Sequence, residues 1–157
     1  AVLQQLVANV RAGMLVDLLT LSYRLLVLHL GDAATHALME RYWAAHLPEP
    51  FAGREAQRFA AFVRGQGLPV PHLDDVLAYE LASIEAVAEA RDVQVELGCD
   101  PAALVAALRA GRRPGALPEG RYALTVEARV QQAPRNRPAA RQGRSPPRNP
   151  RGGMVAR

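Results

Sequence analysis

The hydrophobic periodicity of the chain changes once, near Arg91, from a helical repeat to strand alternation. Before that point apolar residues recur every three or four positions, which is the spacing of one face of a helix. After it, the segment DVQVEL alternates apolar and polar residues, which is typical of a half-buried strand. The change predicts an α+β fold, with a mainly helical N-terminal bundle followed by a small C-terminal β-α-β module.

The N-terminal part contains five predicted helices, separated by glycine and proline. The first two form one leucine-rich stretch, which Gly13 is predicted to interrupt or bend. The apolar stripe over 14–30 is wide, which predicts a central helix with neighbours on more than one side. Gly31 suits a left-handed C′ position and Asp32 the N-cap of the next helix. The last of the five is predicted from about His72 to Ala90, with Val87 facing inward.

The C-terminal part predicts a strand, a helix and a second strand. Asp100 is a favourable N-cap and Pro101 a favourable first helical residue. The second strand lies in RYALTVEARV, which alternates again. Two strands alone are marginally stable in water, so we expect them to pack on the helices or to recruit a partner. The predicted division is a helical bundle at 1–91, a β-containing module at 92–130 and a disordered Arg/Pro-rich tail at 131–157.

The net charge of +4 comes from that tail. All nineteen basic residues are arginines, and seven of them follow residue 130, where there is no acidic residue. The preceding part has twelve arginines and fifteen acidic residues, so no basic face for nucleic acid is predicted there. The tail has too few apolar residues to offset the entropy of ordering. No aromatic residue interleaves with its arginines, which favours a solvated extension over a nucleic-acid-binding arm.

Patterns typical of catalytic or metal sites are missing from the sequence. Cys99 is the single cysteine, which excludes an intrachain disulfide and fits a cytoplasmic location. No two histidines have the i, i+4 spacing of metal ligands on one helix face. His72 with Asp74 and Asp75 allows a cation site, but the favoured interpretation is that the two acids stabilise a helix start through its dipole. We therefore predict no catalytic residue, metal ligand or cofactor in this chain.

No membrane span or signal peptide is predicted. The most apolar run, at 14–30, contains Asp17, Arg24 and His29, and it is too short and too charged to cross a bilayer comfortably. The first fifteen residues lack a basic region and a small-residue cleavage site.

About residues 38–127 resemble the MbnC-type partner proteins of methanobactin-like peptide clusters. The likeness is carried by the Tyr-x-x-x-His-x-Pro stretch from Tyr42, the Phe-x-x-Phe helix at Phe59, and the Pro-x-Leu-x-x-Val-Leu-x-Tyr-Glu run from Pro71. The Asp-Pro helix start and the Gly-Arg-x-Pro loop from Gly111 complete it. These partners accompany multinuclear non-haem iron-dependent enzymes that oxidatively modify cysteines of ribosomally made peptides.

The resemblance implies a non-catalytic subunit of a heterodimer, in which the iron enzyme performs the chemistry and this chain binds the leader of the precursor peptide. A short β unit with a free edge suits the addition of a peptide strand. The alternative for the same alternating residues is ordinary packing against the helices. The expected peptide-binding residues are Arg121, Tyr122, Leu124 and Val126.

Contact with the enzyme is expected at aromatic and acidic residues of two helices. For Tyr79 and Glu80 the sequence also allows a buried polar contact instead. The helical part additionally looks like domains described as DNA-binding, which makes a helical DNA-binding regulator the alternative function. The expected partner-binding residues are Tyr42, Trp43, Tyr79 and Glu80.

Overall fold

The computed structural model describes residues 2–128, with side chains from residue 10, so the predicted tail at 131–157 lies outside the described residues. The fold is α+β and mainly helical, as predicted. Its elements are, in chain order, α1 (Val2–Leu18), α2 (Thr20–Leu30), α3 (Asp32–Ala45), α4 (Ala52–Gly65), α5 (Leu73–Glu89), β1 (Val93–Cys99), α6 (Pro101–Arg109) and β2 (Glu119–Val126).

The first leucine-rich stretch bends at Leu19, so the bend predicted at Gly13 is wrong. α1 continues through Gly13, and its part from Val10 meets α2 at an angle of 100°. Leu19 leaves the helical region, with φ −117° and ψ 46°, and its side chain is buried in the core. Since Leu19 is not a helix-breaking residue, tertiary packing must hold the bend.

The same bend bears on the question of a membrane span. Among the described residues, no single helix is long and apolar enough to cross a bilayer. Val10–Leu18 and α2 meet the length and composition criteria only as a pair, and that pair is broken by the bend.

Gly31 separates α2 from α3, but its role differs from the predicted one. Its φ is 83° and its ψ 164°, so the residue has a positive φ without being in the left-handed helical region. Gly31 itself is the N-cap of α3, and its carbonyl accepts the Thr35 hydroxyl at 2.9 Å. Asp32 is the first helical residue rather than the cap.

One hydrophobic core joins the five N-terminal helices to the C-terminal module. Cys99, Leu104 and Leu108 belong to the same buried cluster as the leucines of α1 and α2. The parts of the chain on either side of the boundary predicted at 91/92 therefore share core residues. At the end of α5, however, Val87 is 66% exposed, so its predicted inward position is wrong.

The two strands form an antiparallel sheet with α6 as their connection. Val93 pairs with Val126, Val95 with Leu124, and Leu97 with Tyr122. The register becomes irregular between Leu97 and Cys99. The predicted start of α6 is confirmed, because the Asp100 carboxylate accepts the backbone N–H groups of Ala102 and Ala103.

Candidate functional site: a groove beside the second strand

A groove separates β2 from the outer part of α5. Leu124 and Val126 lie on its strand side, and Tyr79 and Val87 lie on its helix side. We call it the β2 groove. Its lining residues are Tyr79, Ser83, Val87, Arg109, Leu124, Thr125, Val126 and Glu127.

The groove continues into a more apolar depression between α5 and the α1–α2 bend. Tyr79, Ser83, Val87 and Arg109 line both hollows, which makes the two continuous. We call the second hollow the bend depression; its further lining residues are Asp17, Leu18, Thr20, Leu21, Arg24, Glu80, Ile84 and Ala88.

The groove exists because α5 packs chiefly on β1 and much less on β2. Ala82 and Ala86 are small and buried, and they form a second core cluster with Val93. β2 lies farther out, so each of its residues is half-buried or exposed. The half-buried Leu124 and Val126 therefore leave apolar surface beside the exposed Val87.

The outer edge of β2 has no strand partner within residues 2–128, where the sheet consists of β1 and β2 alone. In an antiparallel pair, every second residue directs its N–H and C=O away from the neighbouring strand. Such groups bond to water or to the backbone of an added strand. The groove thus combines a row of main-chain hydrogen-bonding groups with apolar side chains.

Arg109 provides a positive charge at the groove. Its side chain is exposed, and no acidic group among the described residues forms an ion pair with it. Arg24 of α2 holds the end of α6 in place, since its Nη1 donates to the carbonyl oxygens of Leu108 at 2.8 Å and of Arg109 at 3.3 Å. The groove can therefore pair a negative group of a ligand with a cation on a fixed helix end.

Two of the four predicted peptide-binding residues, Leu124 and Val126, line the groove. Tyr122 is half-buried on the same face of β2, but its ring lies beside Gly120, where an added Cβ would be 3.1 Å from Cε2. Arg121 points to the opposite face, 3.9 Å from the Glu96 carboxylate, with 91% of its side chain exposed. Tyr122 and Arg121 are therefore outside the groove.

The four predicted partner-binding residues do not form one surface. Tyr79 is half-buried and lines the β2 groove, next to the peptide-binding residues. Trp43 is half-buried, and its indole N–H is buried without a hydrogen-bond partner among the described residues. Tyr42 and Glu80 are both buried, which corrects the expectation that their side chains contact a partner directly.

Tyr42 is the centre of an aromatic cluster in the core. Its ring stacks on His46 at 4.7 Å and meets the edge of Phe59 at 5.1 Å. Its hydroxyl donates to the Glu55 carbonyl oxygen at 3.4 Å. Burial, together with the nearby Glu55 carboxylate, raises the pKa of Tyr42 to about 12. The neutral phenol is therefore a structural group.

Glu80 bonds to the start of α2. Its carboxylate oxygens accept the backbone N–H groups of Leu21 at 2.7 Å and Ser22 at 2.9 Å. These groups have no acceptor inside α2, because they belong to its first turn, and Leu19 supplies no side-chain cap. Glu80 therefore caps α2 from a distant helix. Of the two interpretations that the sequence allowed for Glu80, a partner contact or a buried polar contact, the structure shows the buried polar contact.

Sequence reasoning missed five residues of the groove: Ser83, Val87, Arg109, Thr125 and Glu127. The spacing of Val87 fits the apolar stripe of α5. Its exposure is evident only in the fold, because the sheet does not extend over this residue. Arg109 is a final helical residue like many others, and no motif marks it. Comparisons with protein-family models, with curated proteins and with solved structures found no match.

Proposed function

We propose that this chain is a non-catalytic accessory subunit that binds the leader of a ribosomally made precursor peptide in the β2 groove. In the proposal it forms a heterodimer with an iron-dependent oxidative enzyme, which modifies cysteines of the bound peptide. The observation that carries the proposal is the edge of β2, unpaired within residues 2–128, beside a groove with apolar side chains on both of its sides. The chain itself supplies binding, and the iron belongs to the partner enzyme.

Peptide binding would add a strand to β2. Main-chain hydrogen bonds to the β2 edge set the register, and alternate side chains of the peptide enter the groove against Leu124 and Val126. Val87 adds apolar surface, and Arg109 pairs with an acidic residue of the peptide. Holding the leader on this subunit raises the local concentration of the peptide's cysteines at the enzyme.

The enzyme contact is assigned to the connection between α3 and α4. Leu47 and Phe51 lie in this proline-containing segment, with 83% and 63% of their surfaces exposed. Exposed large apolar side chains close together in sequence are typical of a protein interface. This segment is separate from the β2 groove, so one chain can hold both partners.

A charge introduced into the groove is expected to weaken peptide binding. Val87→Arg replaces an apolar side chain of the groove by a guanidinium beside Leu124 and Val126, and we expect the Kd for the leader to rise at least about tenfold. Val10→Arg is the matched control, because Val10 is an exposed helical valine outside the groove, 64% exposed against 66% for Val87. The measurement is fluorescence anisotropy with labelled leaders of cysteine-containing precursor peptides encoded beside this chain.

Charge reversal in the groove and charge reversal on the opposite face of β2 should have different effects on peptide binding. Arg109→Glu should weaken binding of the same leaders, whereas Arg121→Glu should not, since Arg121 lies on the opposite face. Equal affinities of wild type and Val87→Arg for the leader would contradict peptide binding in the β2 groove. A purified chain that binds none of the leaders would contradict the proposed function.

A change at the α3–α4 connection is expected to separate enzyme binding from peptide binding. Phe51→Ser removes an exposed aromatic side chain, so co-purification with the iron-containing enzyme should fall while anisotropy of the leader is unchanged. Val10→Arg again serves as the control. Full co-purification of Phe51→Ser would contradict this enzyme contact, and no co-purification of wild type would contradict the heterodimer.

The DNA-binding alternative gains no support from the described residues. Acidic residues outnumber arginines in this part of the chain, which opposes the phosphate contacts that dominate affinity for duplex DNA.

A further inference from the structure

Three side chains with the chemistry of metal ligands meet where α5 begins and β1 ends. They are His72, Asp75 and Cys99, and one ligand atom of each lies within 4.8 Å of the other two. The Cys99 Sγ is 3.4 Å from Asp75 Oδ2, and His72 Nδ1 is 3.9 Å from the same oxygen. The sequence placed two of these residues at a helix start, but the fold adds the cysteine.

The Asp75 carboxylate is oriented toward the other two side chains. Its Oδ1 accepts the Gly98 backbone N–H at 2.7 Å, which directs Oδ2 toward Cys99 and His72. Such a hydrogen bond is the usual support of a metal-binding carboxylate. The neighbouring Asp74 turns away and pairs with Arg64 at 3.2 Å, so it is outside the cluster.

We propose that His72, Asp75 and Cys99 bind one Zn²⁺ ion, with a fourth position open to water. Zn²⁺ accepts sulfur, nitrogen and oxygen ligands in a tetrahedral arrangement, and three protein ligands plus water is one of its common sets. Bond lengths in such sites place ligand atoms roughly 3.3–3.6 Å apart. The 3.4 Å separation lies within that range, and a small movement of the His72 side chain would bring its 3.9 Å distance to Asp75, and its distance of at most 4.8 Å to Cys99, into it.

The surroundings suit an ion that enters from the surface. His72 and Asp75 line a pocket open to solvent, whereas Cys99 is 1% exposed. Burial and the nearby Asp75 raise the pKa of the Cys99 thiol to about 12, so without a cation the thiol is neutral and donates to Asp75. The ion would take the place of that proton.

A bound ion would join the first turn of α5 to the end of β1. Because β1 pairs with β2, this link fixes the sheet on the helical body. The inference rests on the three side chains alone and not on peptide binding.

The test uses the purified full chain with Co²⁺ as a spectroscopic probe for the zinc position. We expect one Co²⁺ per chain, a thiolate-to-cobalt charge-transfer band, and loss of that band on adding Zn²⁺. Cys99→Ser should abolish the band, and His72→Ala and Asp75→Asn should each weaken Zn²⁺ binding at least about tenfold. Asp74→Asn is the matched control and should leave the affinity unchanged.

A second readout guards against a variant that fails to fold. Zn²⁺ should raise the Tm of wild type and of Asp74→Asn, but not that of Asp75→Asn. No charge-transfer band in wild type at stoichiometric Co²⁺ would overturn the proposal, and so would equal Zn²⁺ affinities of Asp75→Asn and Asp74→Asn.

Discussion

Replacing Glu55 with alanine is expected to lower the free energy of unfolding by about 3–5 kcal/mol. Glu55 Oε1 is 2.6 Å from Arg11 Nη2 and 3.1 Å from Arg11 Nε, and both side chains are buried. The second carboxylate oxygen accepts the Glu49 backbone N–H at 2.9 Å. Removal of Glu55 therefore leaves a guanidinium buried without its counter-charge, between α1 and α4.

The expected loss of stability reflects a buried charge left without its partner, and it is not the net contribution of the ion pair. Two buried charges lose their hydration, so replacing both members by apolar residues is often close to neutral. The double variant Arg11→Leu/Glu55→Leu should therefore recover most of the stability that Glu55→Ala loses. Urea unfolding followed by far-ultraviolet circular dichroism measures both.

An exposed pair provides the comparison. Glu89→Ala removes an exposed carboxylate that pairs with Arg91, and the expected change is at most about 1 kcal/mol. A Glu55→Ala variant no less stable than Glu89→Ala would contradict the importance of the buried pair.

The second large effect is expected for Glu80→Ala, at about 2–6 kcal/mol. Two backbone N–H groups at the start of α2 lose their acceptor, and an unsatisfied buried donor costs about 1–3 kcal/mol. Glu85→Ala is the control on the same helix, because Glu85 is partly exposed and pairs with Arg91 at the surface. Equal unfolding free energies of the two variants would contradict the capping role.

The effect of Glu80 should also depend on pH. Burial raises the pKa of Glu80 above its usual 4.5, and hydrogen bonds from Ser22 and Leu21 offset this only in part. The folded chain then holds this proton more tightly than the unfolded chain. The contribution of Glu80 is therefore complete below pH 4.5 and declines as the pH rises through the raised pKa. The stability difference between wild type and Glu80→Ala should narrow over this range, and a difference that widens would contradict the shift.

Local signals in the sequence predicted local structure well. The alternation after Arg91 became two paired strands, and the Asp100–Pro101 start of α6 is confirmed. The bend at Leu19 was not predictable in this way, because its capping group, Glu80, comes from a distant helix. The helical repeat alone could not place Gly13 inside an unbroken helix.

The candidate site was only partly predictable for the same reason. Alternation placed Leu124 and Val126 on one face of β2, but the groove also needs Val87 and Arg109 from two helices. Tyr42 was expected to contact the partner enzyme, and its burial follows from neighbours in α4. The iron-enzyme partner, the leader peptide and the resemblance that suggested them remain predictions.

The hydrogen bonds from Arg24 to the last carbonyl groups of α6 connect the bend at Leu19 mechanically to the β2 groove. Arg24 belongs to α2, whose first turn is tied to α5 by Glu80. We therefore expect a change in the angle at Leu19 to shift Arg109 relative to Tyr79 and Val87 and to alter the width of the β2 groove. A ligand bound in the β2 groove would therefore be coupled in free energy to the angle between α1 and α2.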